Sequence, residues 1–359
     1  MTMSSEHLHI LADELRYTGK SKPRALITGI NGQDGSYLAE WLLHKGYEVH
    51  GIIRRASTNN LERIRHILDK ITLHEGEITD SIFVSYVIYT VSPLEIYNLA
   101  AQSHVHTSFS VPDYTFRVNT LGLLNILEAV RQMDYLPNAR IYQASTSEMF
   151  GNAPAPQGIE TPFDVQSPYA ISKLASHELI KHYRNTYDMY TVSGILFNHE
   201  SPRRGENFVT RKITKYFGNV GANKYSHVTE HGRLKLGNIQ AKRDWGFAPD
   251  YVQVMWQSLQ DNEPKDFVLG TGVSISVKDF LGEVGEYLNL DWTKYVDFDE
   301  IDYVRPSDVN ELCAKSSYKV RTYVVDLVPI MLDYENNNYN GQGYEYYMEN
   351  YGDIFAWRT

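Results

Sequence analysis

The sequence contains a single cysteine, Cys313, among its 359 residues. One thiol cannot form a disulfide within the chain, so a disulfide framework is excluded and a reducing compartment is expected. No run approaches the roughly 18 apolar residues that a membrane-spanning helix needs. Residues 1–22 carry Glu6, Asp13 and Glu14 and no long apolar run, which is not the pattern of a secretory signal. We therefore expect a cytoplasmic protein with no membrane partner.

Positive charge is also scarce. The chain has 34 Lys and Arg against 44 Asp and Glu, a net charge of −10. A nucleic-acid-binding protein needs a basic surface, so no nucleic-acid partner is expected. Apolar residues make up 42% of the chain and charged residues 22%, which is typical of a folded protein with a large core. Tyrosine is abundant, with 27 copies, many of them from Tyr318 onward.

Short apolar segments alternate with helical segments from residue 24 onward. The pattern predicts helices at 34–45, 60–70, 81–90, 113–133 and 167–187, separated by short strands. Such alternation predicts an α/β fold, a Rossmann-type doubly wound parallel sheet. The rhythm weakens after residue 197, which predicts a smaller, mixed α/β C-terminal lobe that binds the substrate.

The predicted division of the chain has three parts. Residues 1–22 form an N-terminal extension, either loosely attached or a helix that docks on a partner. Residues 23–197 form the cofactor domain, to which some later segments return. Residues 198–359 form the substrate-binding lobe and a Tyr-rich tail.

A glycine-rich turn joins the first strand to the first helix. Gly29, Gly32 and Gly35 lie three residues apart. Glycines allow a tight turn and close approach of a pyrophosphate to the helix N-terminus, so the turn predicts a dinucleotide site; an ordinary strand–helix turn is the alternative. Where an NAD site has an acidic residue, this chain has Arg54 and Arg55. Guanidinium groups attract a 2′-phosphate, which favours NADP over a merely solvated basic loop.

Four residues are candidates for the chemistry. Tyr169 and Lys173 lie four apart on one side of a predicted helix, where the ammonium would lower the pKa of the phenol and make it a general acid/base. Thr146 and Glu148 follow a predicted strand, at the sheet edge where ligands bind. There a hydroxyl can hold a sugar oxygen and a carboxylate can move a proton. A helix cap with a nearby acid is the alternative for this second pair.

The chain resembles a known family at these motifs and at several others. The matching stretches are ITGINGQDGSYLAEWLL, NLAAQSHV, STSEMFG, SPYAISK, LFNHESPRRGENFVTRKI, LGNIQAKRDWG and YVRPSDV. They are similar to the extended short-chain dehydrogenases/reductases and, within these, to the GDP-mannose 4,6-dehydratase family. The fifth and sixth stretches are the ones specific to that subfamily.

The resemblance implies a lyase that turns GDP-mannose into GDP-4-keto-6-deoxy-mannose and water, as in GDP-fucose or GDP-rhamnose biosynthesis. A hydride would pass from C4 to NADP and return to C6. Tyr169 would take the O4 proton while Thr146 holds O4 and Lys173 holds the nicotinamide ribose. Glu148 would remove the C5 proton and help water to leave from C6. The family also implies a homodimer or homotetramer.

The resemblance also implies binding residues. Those for the cofactor are Gly29, Ile30, Asn31, Gly32, Gln33, Asp34, Gly35, Arg54, Glu77, Ile78, Leu99, Ala100, Ala101, Gln102, Ser103, Tyr114, Tyr169, Lys173, His199 and Arg204. Those for the substrate are Ser103, Glu148, Asn198, Val209, Lys212, Arg243 and Arg305. His199 has a core or capping role as its alternative. The sequence departs from the family pattern at Glu77 and Asp308, which keep the charge and change its reach, and matches poorly after Asn310.

A basic run supports a diphosphate site on the substrate side. Between positions 203 and 215 the sequence has five basic residues and one acidic residue, Glu206, although the whole chain is negatively charged. The basic residues are Arg203, Arg204, Arg211, Lys212 and Lys215. His104 and His106 lack Cys or carboxylate partners in sequence, so a loop is favoured there and no metal is expected.

Two other functions remain open. A nucleotide-sugar epimerase or reductase of the same family needs the tyrosine but has no need for the acid/base Glu148. A non-catalytic NADP-binding protein has no need for Tyr169, Lys173, Thr146 and Glu148 together.

Overall fold

The computed structural model describes residues 22–57, 60–133, 138–218, 228–229, 231–298 and 309–336. The strands in these ranges are β1 (Arg24–Thr28), β2 (Glu48–Ile53), β3 (Ile71–Glu75), β4 (Glu95–Asn98), β5 (Arg140–Thr146), β6 (Tyr190–Leu196), β7 (Asn198–Glu200), β8 (Leu234–Leu236), β9 (Lys242–Phe247), β10 (Phe267–Leu269), β11 (Ser274–Ser276), β12 (Val296–Phe298) and β13 (Glu311–Leu312). The helices are α1 (Gln33–His44), α2 (Ser81–Val91), α3 (Val105–Ser110), α4 (Pro112–Phe116), α5 (Gly122–Arg131), α6 (Pro168–Tyr187), α7 (Val209–Gly218), α8 (Ala248–Ser258), α9 (Val277–Leu288) and α10 (Val324–Asn336).

Seven parallel strands form the main sheet, in the order β10-β6-β5-β4-β1-β2-β3. Both faces of the sheet are covered, because adjacent residues of one strand enter different apolar clusters. Ile27 packs with Trp41 of α1 and Met255 of α8, whereas Leu26 packs with Val84 of α2 and Ile126 of α5. Strands buried on both faces by helices are typical of doubly wound α/β proteins. The predicted fold class is confirmed.

The chain changes direction across the sheet between β1 and β4. Thr28 is paired in register with Ile52 on one side and with Asn98 on the other. Its hydroxyl donates to the Asn98 side chain at 2.7 Å and accepts from the amides of Leu99 and Ala100 at 3.1 and 3.0 Å. Ligands of such sheets bind at this switch point, beyond the carboxyl ends of the strands.

A smaller group of strands builds the second lobe. Strand β9 pairs with β7 and β13 in parallel and with β11 antiparallel, while β8 pairs with β12. Helices α7, α9 and α10 supply the apolar cluster behind it, in which Phe217, Trp245 and Phe280 are buried. Strand β10 and helix α8 also follow residue 197 in sequence, yet they lie in the main sheet and on its face.

Two predicted helices differ from the structure. Residues 60–70 form only a short 3-10 helix at Glu62–Ile67. The segment 113–133 is α4 and α5 joined by the π-helical turn Arg117–Leu121. Within that turn the Asn119 side chain accepts from the Gln102 amide at 2.9 Å and donates to the Gln102 carbonyl at 3.2 Å. The Asn119 side chain is thereby bonded to the loop that contains Gln102. Such π-helical turns are frequent near functional sites.

Some predictions concern residues outside the described ranges. They are residues 1–21, Arg305, Asp308 and the Tyr-rich tail after residue 336. Among the helices of the described part of the chain, none has the length and apolar character needed to cross a bilayer.

Candidate active site

A cavity of about 750 Å³ lies between the carboxyl edge of the main sheet and the second lobe. The predicted site residues that line it are Gly29, Asn31, Gly32, Gln33, Asp34, Gly35, Arg54, Glu77, Ile78, Leu99, Ala100, Ala101, Ser103, Tyr114, Thr146, Glu148, Tyr169, Lys173, Asn198, His199, Arg204, Val209, Lys212 and Arg243. Residues far apart in sequence therefore meet in one space, large enough for a cofactor and part of a substrate.

Two predicted cofactor residues do not line the cavity. The Ile30 side chain is fully buried in the core, against Gly51. The Gln102 side chain braces its own loop, accepting from the His104 amide at 2.8 Å and donating to the Thr115 hydroxyl at 3.0 Å. Both side chains shape the walls rather than face a ligand.

The glycine turn packs too closely to accept side chains. Gly29 adopts a φ of +69°, a conformation that L side chains rarely take. A Cβ atom on Gly35 would stand 2.3 Å from the Gly29 carbonyl oxygen, so α1 can approach the turn only with glycine there. The first turn of α1 thus presents its free amides to the cavity, which suits a pyrophosphate.

Arg54 lies at the far end of the cofactor side, after β2. Its Nη1 donates to the Tyr114 hydroxyl at 2.7 Å, which fixes an otherwise exposed guanidinium at the cavity rim. Arg55 does not line the cavity; its side chain is 89% exposed, with Glu75 at 3.7 Å. Of the two predicted arginines, only Arg54 lines the cavity.

The first turn of α1 is tied to the second lobe through His199. The Nε2 atom of His199 lies 2.8 Å from Asp34 Oδ2, and the imidazole stacks on the Tyr251 ring at 4.4 Å. Gln33 donates to the His199 carbonyl at 3.1 Å and accepts from the Ser201 hydroxyl at 2.8 Å. His199 therefore lines the cavity and also joins the glycine turn to β7.

Thr146, Glu148, Tyr169 and Lys173 converge beneath the second lobe. Thr146 ends β5, and its hydroxyl accepts from the Glu148 amide at 3.3 Å and is hydrogen-bonded to the Tyr169 phenol. Lys173 donates from Nζ to the Ala144 carbonyl at 2.8 Å. Ser167 caps the N-terminus of helix α6, since its hydroxyl accepts from the Ala170 amide, and Pro168 is a favoured first helical residue.

The expected lowering of the Tyr169 pKa is wrong for this arrangement. Burial raises the pKa of Tyr169 to about 12, and the hydrogen bond with Thr146 offsets this only in part. The Lys173 ammonium stays 6.0 Å from the centroid of the phenol ring, and burial lowers its own pKa to about 8. Lysine alone does not make this phenol a base at neutral pH.

The basic run is divided among different tasks. Arg203 pairs with Glu40 of α1 at 2.6 Å, Arg211 pairs with Glu335 of α10, and Lys215 pairs with Glu206. Of the five, only Arg204 and Lys212 line the cavity. The predicted positive surface for a diphosphate is therefore smaller than the sequence suggested, because three of its members pair with carboxylates and do not line the cavity.

The cavity also includes residues that the sequence analysis did not assign. They include Asn60, Asn207, Phe208, Thr210, Lys235, Asn238 and Trp245. Phe208 lies between Arg204, 3.7 Å from its ring centroid, and His104, with ring centroids 5.7 Å apart. Most of these residues fall inside the motifs LFNHESPRRGENFVTRKI and LGNIQAKRDWG. These motifs are the feature of the sequence from which the additional cavity residues could have been predicted. Within the described ranges, no group of three or more His, Cys, Asp or Glu residues could hold a metal ion.

The doubly wound sheet, the glycine turn and the Tyr–Lys pair in one cavity define an extended short-chain dehydrogenase/reductase. Solved structures share this fold. A dTDP-glucose 4,6-dehydratase from Streptomyces venezuelae, with NAD and TYD bound, gives a TM-score of 0.77 at 18% identity, covering 89% of this chain and 98% of that one. A UDP-glucose 4-epimerase from Thermus thermophilus, in complex with NAD, gives 0.74 at 23% identity, covering 88% and 99%.

Sequence comparison gives the family. The family model for GDP-mannose 4,6 dehydratase matches residues 26–322. GDP-mannose 4,6 dehydratase 1 of Arabidopsis thaliana is 48% identical over 332 residues, which are 87% of this chain and 90% of the relative. The human GDP-mannose 4,6 dehydratase is 48% identical over 272 residues, 73% of this chain and 72% of the relative. The chain belongs to the GDP-mannose 4,6-dehydratase family, and the family predicted from its motifs is confirmed.

Proposed function

We propose that the protein converts GDP-mannose to GDP-4-keto-6-deoxy-mannose and water, with NADP as its cofactor. The observation that carries the proposal is that Glu148 and Tyr169 line one cavity with the glycine turn. A phenol and a carboxylate provide two separate acid/base groups, and dehydration needs both.

Features of the cavity support a dinucleotide with a 2′-phosphate as the cofactor. The positive φ of Gly29 and the absence of space for a Cβ at Gly35 support a pyrophosphate against the start of α1. Arg54, held by Tyr114, is the group we assign to the 2′-phosphate. NADP, when bound, supplies the hydride acceptor and donor together with a positively charged ring.

The side chains account for each proton. Thr146 holds the sugar O4, and Tyr169 accepts its proton, which requires nearby positive charge to offset burial of the phenol. Glu148 removes the C5 proton, made acidic by the adjacent ketone, and protonates the hydroxyl that leaves C6 as water. Tyr169 then supplies the proton that C5 regains, so the phenolate is restored.

The substrate side is assigned to the second lobe. Lys212, which lines the cavity and whose pKa is lowered by burial, is the charged group we assign to a diphosphate, since a neighbouring anion stabilises the ammonium form. Arg204, which lies 3.0 Å from Glu200, keeps its assignment to the cofactor. Arg243 is fixed by hydrogen bonds from Nη1 to the Lys242 and Val309 carbonyls, both at 2.9 Å. The other substrate-binding residues that we assign within the described ranges are Ser103, Asn198 and Val209.

Assembly and compartment belong to the same proposal. The family resemblance supports a homodimer or homotetramer, and the single cysteine supports the cytosol. Sedimentation velocity of the purified protein would give the assembly state directly.

Proton NMR of the purified protein with GDP-mannose, catalytic NADP and D₂O tests the reaction. We expect a new C6 methyl signal and deuterium at C5. A change in sugar configuration without a methyl signal would identify an epimerase instead. If NADP binds and GDP-mannose stays unchanged, two explanations would remain: the substrate is a different nucleotide sugar, or the protein has a non-catalytic role.

A further inference from the structure

Helix α6 carries a third buried titratable side chain in line with the first two. Tyr169, Lys173 and His177 follow each other at four-residue intervals, which places them on one face of the helix. All three are buried, and Lys173 and His177 hydrogen-bond to residues of β5 and β6. The proposed chemistry uses Tyr169 and Lys173 and leaves His177 without a role.

His177 is connected to β5 through a chain of two hydroxyls. Its Nδ1 lies 2.8 Å from Ser193 Oγ on β6, and Ser193 Oγ lies 2.7 Å from Ser145 Oγ on β5. Ser193 is anchored in turn by its amide, which donates to Asp266 at 2.8 Å. The chain is buried along its length, and Ser145 at its end lines the cavity.

The three α6 side chains are linked, directly or through Ser193, to three consecutive residues of β5. Lys173 donates to the Ala144 carbonyl, His177 reaches Ser145 through Ser193, and Tyr169 is hydrogen-bonded to Thr146. The 3-10 turn that carries Glu148 starts at the next residue, Ser147. The position of Glu148 relative to Tyr169 therefore depends on how firmly α6 holds the end of β5.

We propose that His177, through Ser193 and Ser145, is a positioning residue for Thr146 and Glu148. The imidazole is neutral, because burial lowers its pKa against the opposing effect of Asp266. A neutral imidazole can donate to or accept from Ser193, so the hydroxyl chain is satisfied in either direction. Without the imidazole, the hydrogen-bonded link from α6 to Ser145 near the end of β5 is lost.

Turnover of variants tests this role, which rests on the proposed function. We expect His177→Leu to lower kcat about 100-fold, as small displacements of catalytic groups do, with KM for GDP-mannose and the Kd for NADP within about threefold of wild type. His177→Asn keeps an amide able to bond Ser193 and should stay within about fivefold of the wild-type kcat. Ser193→Ala breaks the middle link and should reproduce the loss. His182→Leu, an exposed histidine of the same helix, is the matched control.

Amide hydrogen exchange supplies a readout that does not require the reaction. Residues 145–148 should exchange about tenfold faster in His177→Leu and Ser193→Ala than in wild type, and at the wild-type rate in His177→Asn. If His177→Leu does not fold, Ser193→Ala decides. Wild-type kcat and exchange in Ser193→Ala would overturn the proposal. A wild-type protein that forms no methyl product would refute the proposed function, while the exchange rates would still decide the role of His177.

Discussion

The imidazole of His199 lies between two hydrogen-bond acceptors. Its Nε2 is 2.8 Å from Asp34 Oδ2, and its Nδ1 is 2.8 Å from the Phe197 carbonyl oxygen. A carbonyl and a carboxylate can only accept, so both ring nitrogens must carry protons and His199 is an imidazolium. The pair is buried and joins the glycine turn to the second lobe, which makes its charge state important for the shape of the cavity.

The stability that this pair provides should depend on pH. Burial opposes the charge on both groups, but their pairing outweighs it: the pKa of His199 is raised above 6.5, and that of Asp34 is lowered below 3.8. The histidine contribution is therefore complete below pH 6.5 and lost as the pH rises through its raised pKa. The aspartate contribution is present above pH 3.8 and lost as the pH falls through its lowered pKa.

Asp34→Asn removes the carboxylate and leaves a buried cation without its counter-charge. We expect the free energy of unfolding to fall by about 3 kcal/mol at pH 6 and by less at pH 9, because the wild type loses the imidazolium contribution as the pH rises through the raised pKa of His199. Urea denaturation at the two pH values measures the difference. Asp113→Asn, at an exposed i,i+4 pair with Arg117, should change stability by less than about 1 kcal/mol at either pH. An equal loss from Asp34→Asn at pH 6 and pH 9 would contradict the imidazolium assignment.

Periodicity was enough to predict the strands of the main sheet other than β10, and the family resemblance supplied most of the predicted residues that line the cavity. Repeated apolar segments and the glycine turn are local signals, and the carboxyl ends of parallel strands meet at one edge. Charge partners are not local. The sequence placed Arg203 and Arg211 in a basic run predicted to bind a diphosphate. In the fold they pair with Glu40 and Glu335, which are distant in sequence. The predicted lowering of the Tyr169 pKa was wrong for a related reason: burial depends on the folded surroundings of the phenol, and it raises the pKa despite the nearby Lys173.

Arg54→Glu should separate the two nicotinamide cofactors. The Arg54 side chain lies at the cofactor end of the cavity, where it donates a hydrogen bond to the Tyr114 hydroxyl. Replacing its positive charge with a negative one should repel a 2′-phosphate and have little effect on a free 2′-hydroxyl. We expect Kd for NADP to rise at least about 30-fold and Kd for NAD to change less than about threefold, as losing a charge-assisted hydrogen bond implies. Isothermal titration calorimetry measures both. Arg55→Glu carries the same charge change on an exposed neighbour, so similar effects from both variants would point to bulk electrostatics.

Glu148→Gln should stop dehydration while the cofactor still binds. The amide has nearly the shape of the carboxylate beside Thr146 but can neither take the C5 proton nor pass one to the leaving hydroxyl. We expect the rate of C6 methyl formation and of C5 deuterium incorporation in D₂O to fall at least about 1,000-fold, with Kd for NADP within about threefold of wild type. Glu178→Gln, an exposed glutamate paired with Lys181 on α6, provides the matched control and should keep the wild-type rate. Methyl formation at the wild-type rate in Glu148→Gln would assign the C5 proton to another group, and C5 deuteration without methyl formation would limit the role of Glu148 to the departure of water.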